Sequence, residues 1–272
     1  MKRPSIQFGI SIDPSSADPA EPFHRAKVAD ENGVALITLM DHPYNTNLFE
    51  TWTLLTALAM KTERVHMATN VANLPLRPPA MLAKMAATLD VLSNGRMELG
   101  LGAGAYWPGV EAMGGPNRSA GEAYRAFRDA LHIIRGYWGN AGKSFTYEGE
   151  VYKVKGARPG PEPAHRIPIW TGAYGPKMLN LTGRMADGIF VSSSYVSRQR
   201  LLEINEQLDA GAAEAGRETA DIRRGYNVMG ILDLGRPDTA KTEDKPNNVY
   251  GSVDHWVEQL VALYNDYRQD TL

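Results

Sequence analysis

Residues 78–102, PPAMLAKMAATLDVLSNGRMELGLG, carry the rhythm on which the fold reading rests. Residues 78–92 predict a helix opened by two prolines, which suit a first turn because the missing N–H has no intrahelical partner there. Ser93-Asn94-Gly95 supplies a turn, and residues 97–101 read as a short apolar strand. Helix, turn, strand is half of a βαβ unit, and the same alternation extends in both directions. Toward the N-terminus come a strand at 5–12, with Ile6, Phe8, Ile10 and Ile12 alternating before Asp13-Pro14, and a helix from Glu21 to Asn32-Gly33. A nearly continuous apolar strand at 34–40, a helix near 50–61 and a strand at 65–70 follow. Toward the C-terminus, Tyr124, Phe127, Leu131, Ile134 and Trp138 recur at helical steps along one face. A strand at 167–171, a helix at 175–186, a strand at 188–191, a helix near 198–215, a strand around 222–232 and a helix at 253–266 complete seven strands and seven helices.

Two segments interrupt the alternation. Residues 140–166 are rich in Gly and Pro and predict a hairpin, with Phe145-Thr146-Tyr147 and Val151-Tyr152-Lys153-Val154 flanking Glu148-Gly149. Residues 235–250 are polar without an apolar face and predict a mobile loop. A (β/α)8 TIM barrel occupies about 250 residues, so the expectation is a single TIM-barrel domain over residues 1–272 with an insertion at about 140–166. An eighth strand would begin only at Asp270-Thr271-Leu272, and a barrel without it would expose two edges. The last strand and helix are therefore expected to lie beyond Leu272.

Composition excludes several classes. The 272 residues carry 29 Lys+Arg against 31 Asp+Glu, a balance unlike that of a basic nucleic-acid binder. With no cysteine there is no disulfide scaffold, thiolate metal site or cysteine nucleophile. The N-terminal stretch lacks an apolar signal core, and the most apolar window, Trp52 to Met60, is too short for a membrane span. A cytoplasmic protein acting on a small molecule is expected, with no nucleic-acid or membrane partner. The histidines at 24, 42, 66, 132, 165 and 255 show no metal-ligand spacing, and no metal is expected; His24 and His132 are expected on helix surfaces.

In a barrel, chemistry sits just after the strands. After the second predicted strand stands Asp41-His42-Pro43, either a capped turn with a surface imidazole or a functional pair. The third is followed by Asn70-Val71 and later by Arg77, an anion ligand or a surface residue. The fourth leads into Gly100-Leu101-Gly102-Ala103-Gly104-Ala105-Tyr106-Trp107, formally a G-x-G-x-x-A run. A dinucleotide site needs a helix to open at once, however, and Pro108, Gly109, Gly114, Gly115 and Pro116 are expected to prevent this until about Ser119. What remains is a glycine loop that lets backbone approach a flat group, beside two aromatics able to stack. The fifth is followed by Thr171-Gly172-Ala173-Tyr174-Gly175-Pro176-Lys177-Met178, where a helix start with free N–H groups and a lysine suits phosphate.

Taken together, these positions resemble the bacterial luciferase-like superfamily of flavin- and deazaflavin-dependent oxidoreductases. The resemblance runs from about Gln7 to Trp256 and is strongest at Leu89–Gly102, at Gly175-Pro176-Lys177-Met178-Leu179 and at Ala186-Asp187-Gly188. It implies a TIM barrel with an insertion before the fifth strand. The Gly-Pro-Lys-Met-Leu form is more similar to members that use coenzyme F420 than to those that use FMN. The resemblance then implies that Gly172, Tyr174, Gly175, Pro176, Lys177 and Met178 hold the coenzyme phosphate. It implies that Val71, beside a cis Asn70-Val71 peptide, lies against the ring, and that Asp41, His42, Gly102, Ala103 and Gly104 complete the coenzyme site. His42 would exchange the proton that accompanies hydride transfer, and Tyr106 and Trp107 would meet the substrate. Where several deazaflavin-dependent members carry a glutamate after the glycines, this sequence has Ala105, so a bulky, largely apolar substrate is expected. An FMN-dependent monooxygenase using oxygen and a flavin-binding barrel without turnover are the alternatives. Family members often form dimers, and a homodimer is expected here.

Overall fold

Leu36–Leu39 is buried at every position, the signature of a strand covered on both faces, and the parallel sheet is built around such strands. The computed structural model describes residues 4–235 and 247–272. They form two compact units, Gly9–Gly172 and residues 4–8 with Ala173–Leu272.

In the first unit the chain runs β1 (Gly9–Ser11), α1 (Glu21–Glu31), β2 (Leu36–Leu39), α2 (Thr51–Ala59), β3 (His66–Thr69), β4 (Ala72–Asn73) and α3 (Pro79–Leu92). It continues through β5 (Met97–Gly102), α4 (Trp107–Ala112), α5 (Ala120–Trp138), β6 (Phe145–Glu148), β7 (Lys153–Ala157) and β8 (Ile169–Gly172). β1, β2, β3, β5 and β8 pair in that order, all parallel, with Ile37 opposite Met67 and Leu101 opposite Thr171. The predicted strand at 65–70 stops at Thr69, and a cis Asn70-Val71 peptide separates β3 from β4. α5 starts in a capping box between Ser119 and Glu122 and buries Phe127, Leu131 and Ile134 completely, as its periodicity requires. His24 and His132 are exposed on α1 and α5, as expected. The expected hairpin insertion is β6 with β7, antiparallel. It is tied to α5 by Asp129, whose carboxylate accepts the N–H groups of Val151 (2.7 Å) and Tyr152 (3.1 Å).

One expectation for this unit fails. A helix, α4, forms at Trp107–Ala112 although Pro108 and Gly109 lie within it. The proline sits in the first turn, where its missing N–H costs nothing.

The second unit contains α6 (Pro176–Met185), β9 (Gly188–Ser192), α7 (Arg198–Glu214), β10 (Arg223–Asn227), β11 (Gly230–Leu232), β12 (Val249–Gly251) and α8 (Val253–Tyr267). β9 and β10 pair in parallel around a core of Leu179, Ile189, Val191, Leu201, Ile204, Leu208, Tyr226 and Leu263. The strand expected at 222–232 is two strands. Its chain turns away after Asn227 because Ser193 takes both the Asn227 carbonyl, through its N–H, and the Met229 N–H, through its hydroxyl. β11 then pairs with β12 instead. Of the expected mobile loop at 235–250, residues 236–246 lie outside the described residues, while Val249 and Tyr250 belong to β12.

Thr271 bridges Gln7 on one side and Gly225 of β10 on the other, both in parallel. The Gln7 N–H donates to Asp270 (2.7 Å), the Leu272 N–H to Gln7 (2.9 Å) and the Tyr226 N–H to Thr271 (2.9 Å). Residues 270–272 thus satisfy backbone groups of both neighbours by isolated bridges, at the place where an eighth strand is expected to begin.

The Ser93–Arg96 turn owes its order to a buried cation. Asn94 and Gly95 both take positive φ, 55° and 79°, which delivers Arg96 beneath α2 and α3. Its guanidinium, 7% exposed, donates to the carbonyls of Ala59, Thr62, Val65 and Ser93 and to the Thr62 hydroxyl, at 2.8–3.1 Å. A lysine cannot reach this fan of acceptors, and stranded buried carbonyls are costly. Arg96→Lys is expected to destabilise the chain by about 2–3 kcal/mol and to lower the thermal midpoint by roughly 5–10 °C; an unchanged midpoint in calorimetry would contradict this role.

Candidate active site

At the carboxyl ends of β3, β5 and β8 the first unit makes a floor from residues without side chains. Gly102 and Gly172 are direct partners in the parallel register, and Asn73 lies opposite Gly102 on the other side. The Val71 side chain occupies the space this leaves: a Cβ at Gly102 would lie 2.7 Å from Val71 Cγ2, and one at Gly172 2.9 Å from the same atom. The segment around it is fixed by donors on both sides. Asn70 N–H donates to Leu39 (2.7 Å), Thr69 Oγ1 to the Gly100 carbonyl (2.6 Å) and Asn73 N–H to the Asp41 carboxylate (2.8 Å). The expected cis peptide is present, and Val71 and Gly172 are half-buried beside it.

Asp41 is held inward. Its carboxylate, fully buried, accepts from Arg77 at 2.5 and 3.2 Å, and the same guanidinium donates to Glu50 at 2.6 Å. Glu50 in turn caps the start of α2 through the N–H groups of Trp52 and Thr53. Arg77 therefore serves two carboxylates of its own chain, which answers whether it lies free on the surface. Burial pushes the Asp41 carboxyl up, against the Arg77 charge and the Asn73 N–H; the net direction is upward. Burial also acts to raise Glu50, but Thr53, Arg77 and Trp52 outweigh it and the net direction is downward.

His42 is exposed at the strand end, with Nδ1 2.9 Å from the Tyr44 hydroxyl. Tyr44 packs on Tyr106 with ring centroids 5.3 Å apart. Trp107 opens α4 with its ring against Gly104, where a Cβ would lie 2.9 Å from it. The structure thus assembles Asn70, Val71, Gly102 and Gly172 as one floor, His42 and Tyr106 as part of an aromatic group, and Gly104 with Trp107; half-buried Ala103 joins Gly102 to Gly104. Asp41 points toward Arg77 instead of outward. Tyr44 is the residue that sequence reasoning missed. Its signal is Pro43, the natural second residue of a tight turn, which folds the residue after it back on His42.

In the second unit, Tyr174, Gly175, Pro176 and Lys177 are exposed at the start of α6, whose N-terminus has no side-chain cap. A Cβ at Gly175 would meet nothing within 4 Å. The Met178 side chain packs into that unit's core, so only its backbone N–H is offered outward. Tyr174 stands edge-on to Tyr195 at 6.2 Å, and burial followed by the Tyr195 neighbour pushes its phenol up. Uncapped N–H groups at a helix start suit an anion. Such a donor set fits a phosphate, and the glycine floor of the first unit, taken by itself, admits a flat ring to the backbone. Among the described residues no group of His, Asp and Glu is placed to hold a metal, and no helix is long and apolar enough to cross a membrane.

Parallel strands with a glycine floor at their carboxyl ends define a class that comparison makes specific. The luciferase-like monooxygenase family matches residues 5–256, and the chain belongs to that family. The 5,10-methylenetetrahydromethanopterin reductase of Archaeoglobus fulgidus is 32% identical over 243 residues, covering 89% of this chain and 67% of the relative. The F420-dependent glucose-6-phosphate dehydrogenase of Beutenbergia cavernae is 35% identical over 220 residues, covering 80% of this chain and 63% of the relative. Among solved structures, the coenzyme F420-dependent tetrahydromethanopterin reductase from Methanopyrus kandleri superposes with a TM-score of 0.75 at 27% identity, covering 85% of this chain and 67% of that one. The FMN-bound oxygenating constituent of 3,6-diketocamphane monooxygenase from Pseudomonas putida has a TM-score of 0.75 at 20% identity over 98% of this chain and 91% of that one, a likeness of fold alone. The fold class is the (β/α)8 barrel of this family. The chain spans 63–67% of the length of the curated relatives it matches.

The Asp41–Arg77 pair yields a pH-dependent prediction. An acid whose pKa is raised in the folded state adds stability below its unfolded pKa, and that contribution is lost as pH rises through the folded value. Removing Arg77 enlarges the loss, because a buried carboxylate is left without a cation. Arg77→Leu is expected to cost about 3 kcal/mol at neutral pH and markedly less at acidic pH, where Asp41 is protonated. Urea unfolding at both pH values checks this; equal losses would show that Arg77 acts by packing alone.

Proposed function

We propose that this chain is a coenzyme F420-dependent oxidoreductase that moves a hydride between the deazaflavin and a carbonyl, alcohol or activated alkene of a bulky, largely apolar small molecule. The observation that carries the reading most is the Val71 side chain seated on Gly102 and Gly172, a backbone floor open to a flat ring. It is supported by relatives whose names specify F420.

When bound, the coenzyme supplies hydride chemistry at its C5, and the protein supplies orientation and exclusion of water. Asn70 and Val71 back the ring, while Gly102, Ala103, Gly104 and Gly172 let backbone approach it. The α6 start, from Tyr174 through Gly175, Pro176 and Lys177 to the Met178 N–H, takes the phosphate, with the Lys177 charge adding attraction. Asp41 acts through Arg77 and Asn73 to hold the β2 and β4 ends that carry His42 and Val71. His42 exchanges a proton with the substrate oxygen, a role suited to an imidazole, which can both donate and accept. Tyr106 and Trp107 present aromatic surface to the substrate.

Parallel fluorescence titrations with F420 and FMN test the coenzyme. Micromolar or tighter F420 binding with weak FMN binding is expected; the reverse would move the chain to the oxygen-using monooxygenases, and binding of neither would remove the functional reading. With F420 bound, His42→Ala is expected to lower turnover by about 100-fold or more with coenzyme affinity little changed. An unchanged rate would remove His42 from the chemistry.

A further inference from the structure

The turn after β2 contains a contact that the reading above leaves unassigned. The Asn45 N–H donates to the His42 carbonyl at 2.9 Å, closing a β-turn with Pro43 in the second position, where its fixed φ fits. The turn brings the Tyr44 hydroxyl to 2.9 Å from His42 Nδ1, with the two rings edge-on at 5.6 Å and 85°. Tyr44 is itself clamped. Its ring lies against Tyr106, and α4 approaches so closely that a Cβ at Gly109 would lie 2.7 Å from Tyr44 and 2.6 Å from Tyr106. Among the described residues the Tyr44 hydroxyl has no other hydrogen-bond partner. Burial, then the Asp41 charge and Tyr106, pushes this phenol up, so it keeps its proton across the neutral range. The charged groups nearby are already committed, Asp41 and Glu50 both to Arg77.

We propose that Tyr44 is a positioning residue that occupies Nδ1 of His42 and so makes Nε2 the nitrogen that exchanges a proton with the substrate. The proposal rests on His42 being the proton-exchanging group. The phenol oxygen can accept Nδ1–H in both charge states of the ring, from the imidazolium and from the neutral imidazole that remains once Nε2 has given up its proton. In carbonyl reduction the bound coenzyme would supply hydride to the carbonyl carbon, and the π pair would move onto oxygen. That oxygen takes the Nε2 proton, and the imidazolium becomes a neutral imidazole still bonded through Nδ1 to Tyr44. Alcohol oxidation runs the same steps in reverse. Phenylalanine keeps the ring contacts and removes this selection.

The test uses the full chain labelled with 15N-histidine, with His42 assigned by substitution. At a pH where the ring is neutral, the wild type should show a pyrrole-type resonance at Nδ1 and a pyridine-type resonance at Nε2. Tyr44→Phe should move both toward averaged positions and lower kcat about tenfold, with F420 affinity and thermal midpoint unchanged. Identical His42 spectra in wild type and Tyr44→Phe would overturn the proposal whatever the rates. Unchanged turnover in His42→Asn would instead overturn the proton role on which it rests, and the spectra tell the two failures apart.

Discussion

A branched side chain placed where two neighbouring strands carry none is the constraint on which the site depends. Val71 fills the volume that Cβ atoms at Gly102 and Gly172 would claim, and any side chain at either glycine would meet it at under 3 Å. The backbone on both sides is held by β2, through the Leu39 carbonyl and the Asp41 carboxylate, and by β5, through the Gly100 carbonyl. The floor is therefore specified from β2, β5 and β8 at once.

The same economy governs the electrostatics. Arg77 joins the end of β2, at Asp41, to the cap of α2, at Glu50, so one guanidinium both neutralises a buried carboxylate and sets the entry of a helix. That charge is consumed internally, and the groups ranged beside His42 are aromatic, Tyr44 on its Nδ1 and Tyr106 on Tyr44.

Much of the fold is legible in the residues because period two and period 3.6 are properties of residue order alone. α3, α5, α6, α7 and α8 lie within a residue or two of their sequence positions, and the hairpin insertion falls where Gly, Pro and alternating aromatics place it. What is not legible depends on contacts between distant residues. The break after Asn227 comes from Ser193, and the bridges of Thr271 come from Gln7 and Gly225. α4 escapes notice because proline and glycine weaken helices in general, while a proline in the first turn does not. The glycine run and the Asn70-Val71 step are visible as candidates, but the seat of Val71 on Gly102 and Gly172 exists only once β5 and β8 are in register. The pairing of Asp41 with Arg77, 36 residues apart, is equally invisible to spacing.

The most direct measurement is F420 affinity in Val71→Ala, Gly172→Ala and the double variant. If the ring rests on Val71 and Val71 rests on the glycines, a Cβ at position 172 displaces Val71 into the ring's space. Gly172→Ala should then weaken binding about tenfold, and adding Val71→Ala should recover part of it, a coupling of about 1 kcal/mol. Losses that simply add, or a Gly172→Ala variant that binds F420 as the wild type does, would contradict the account.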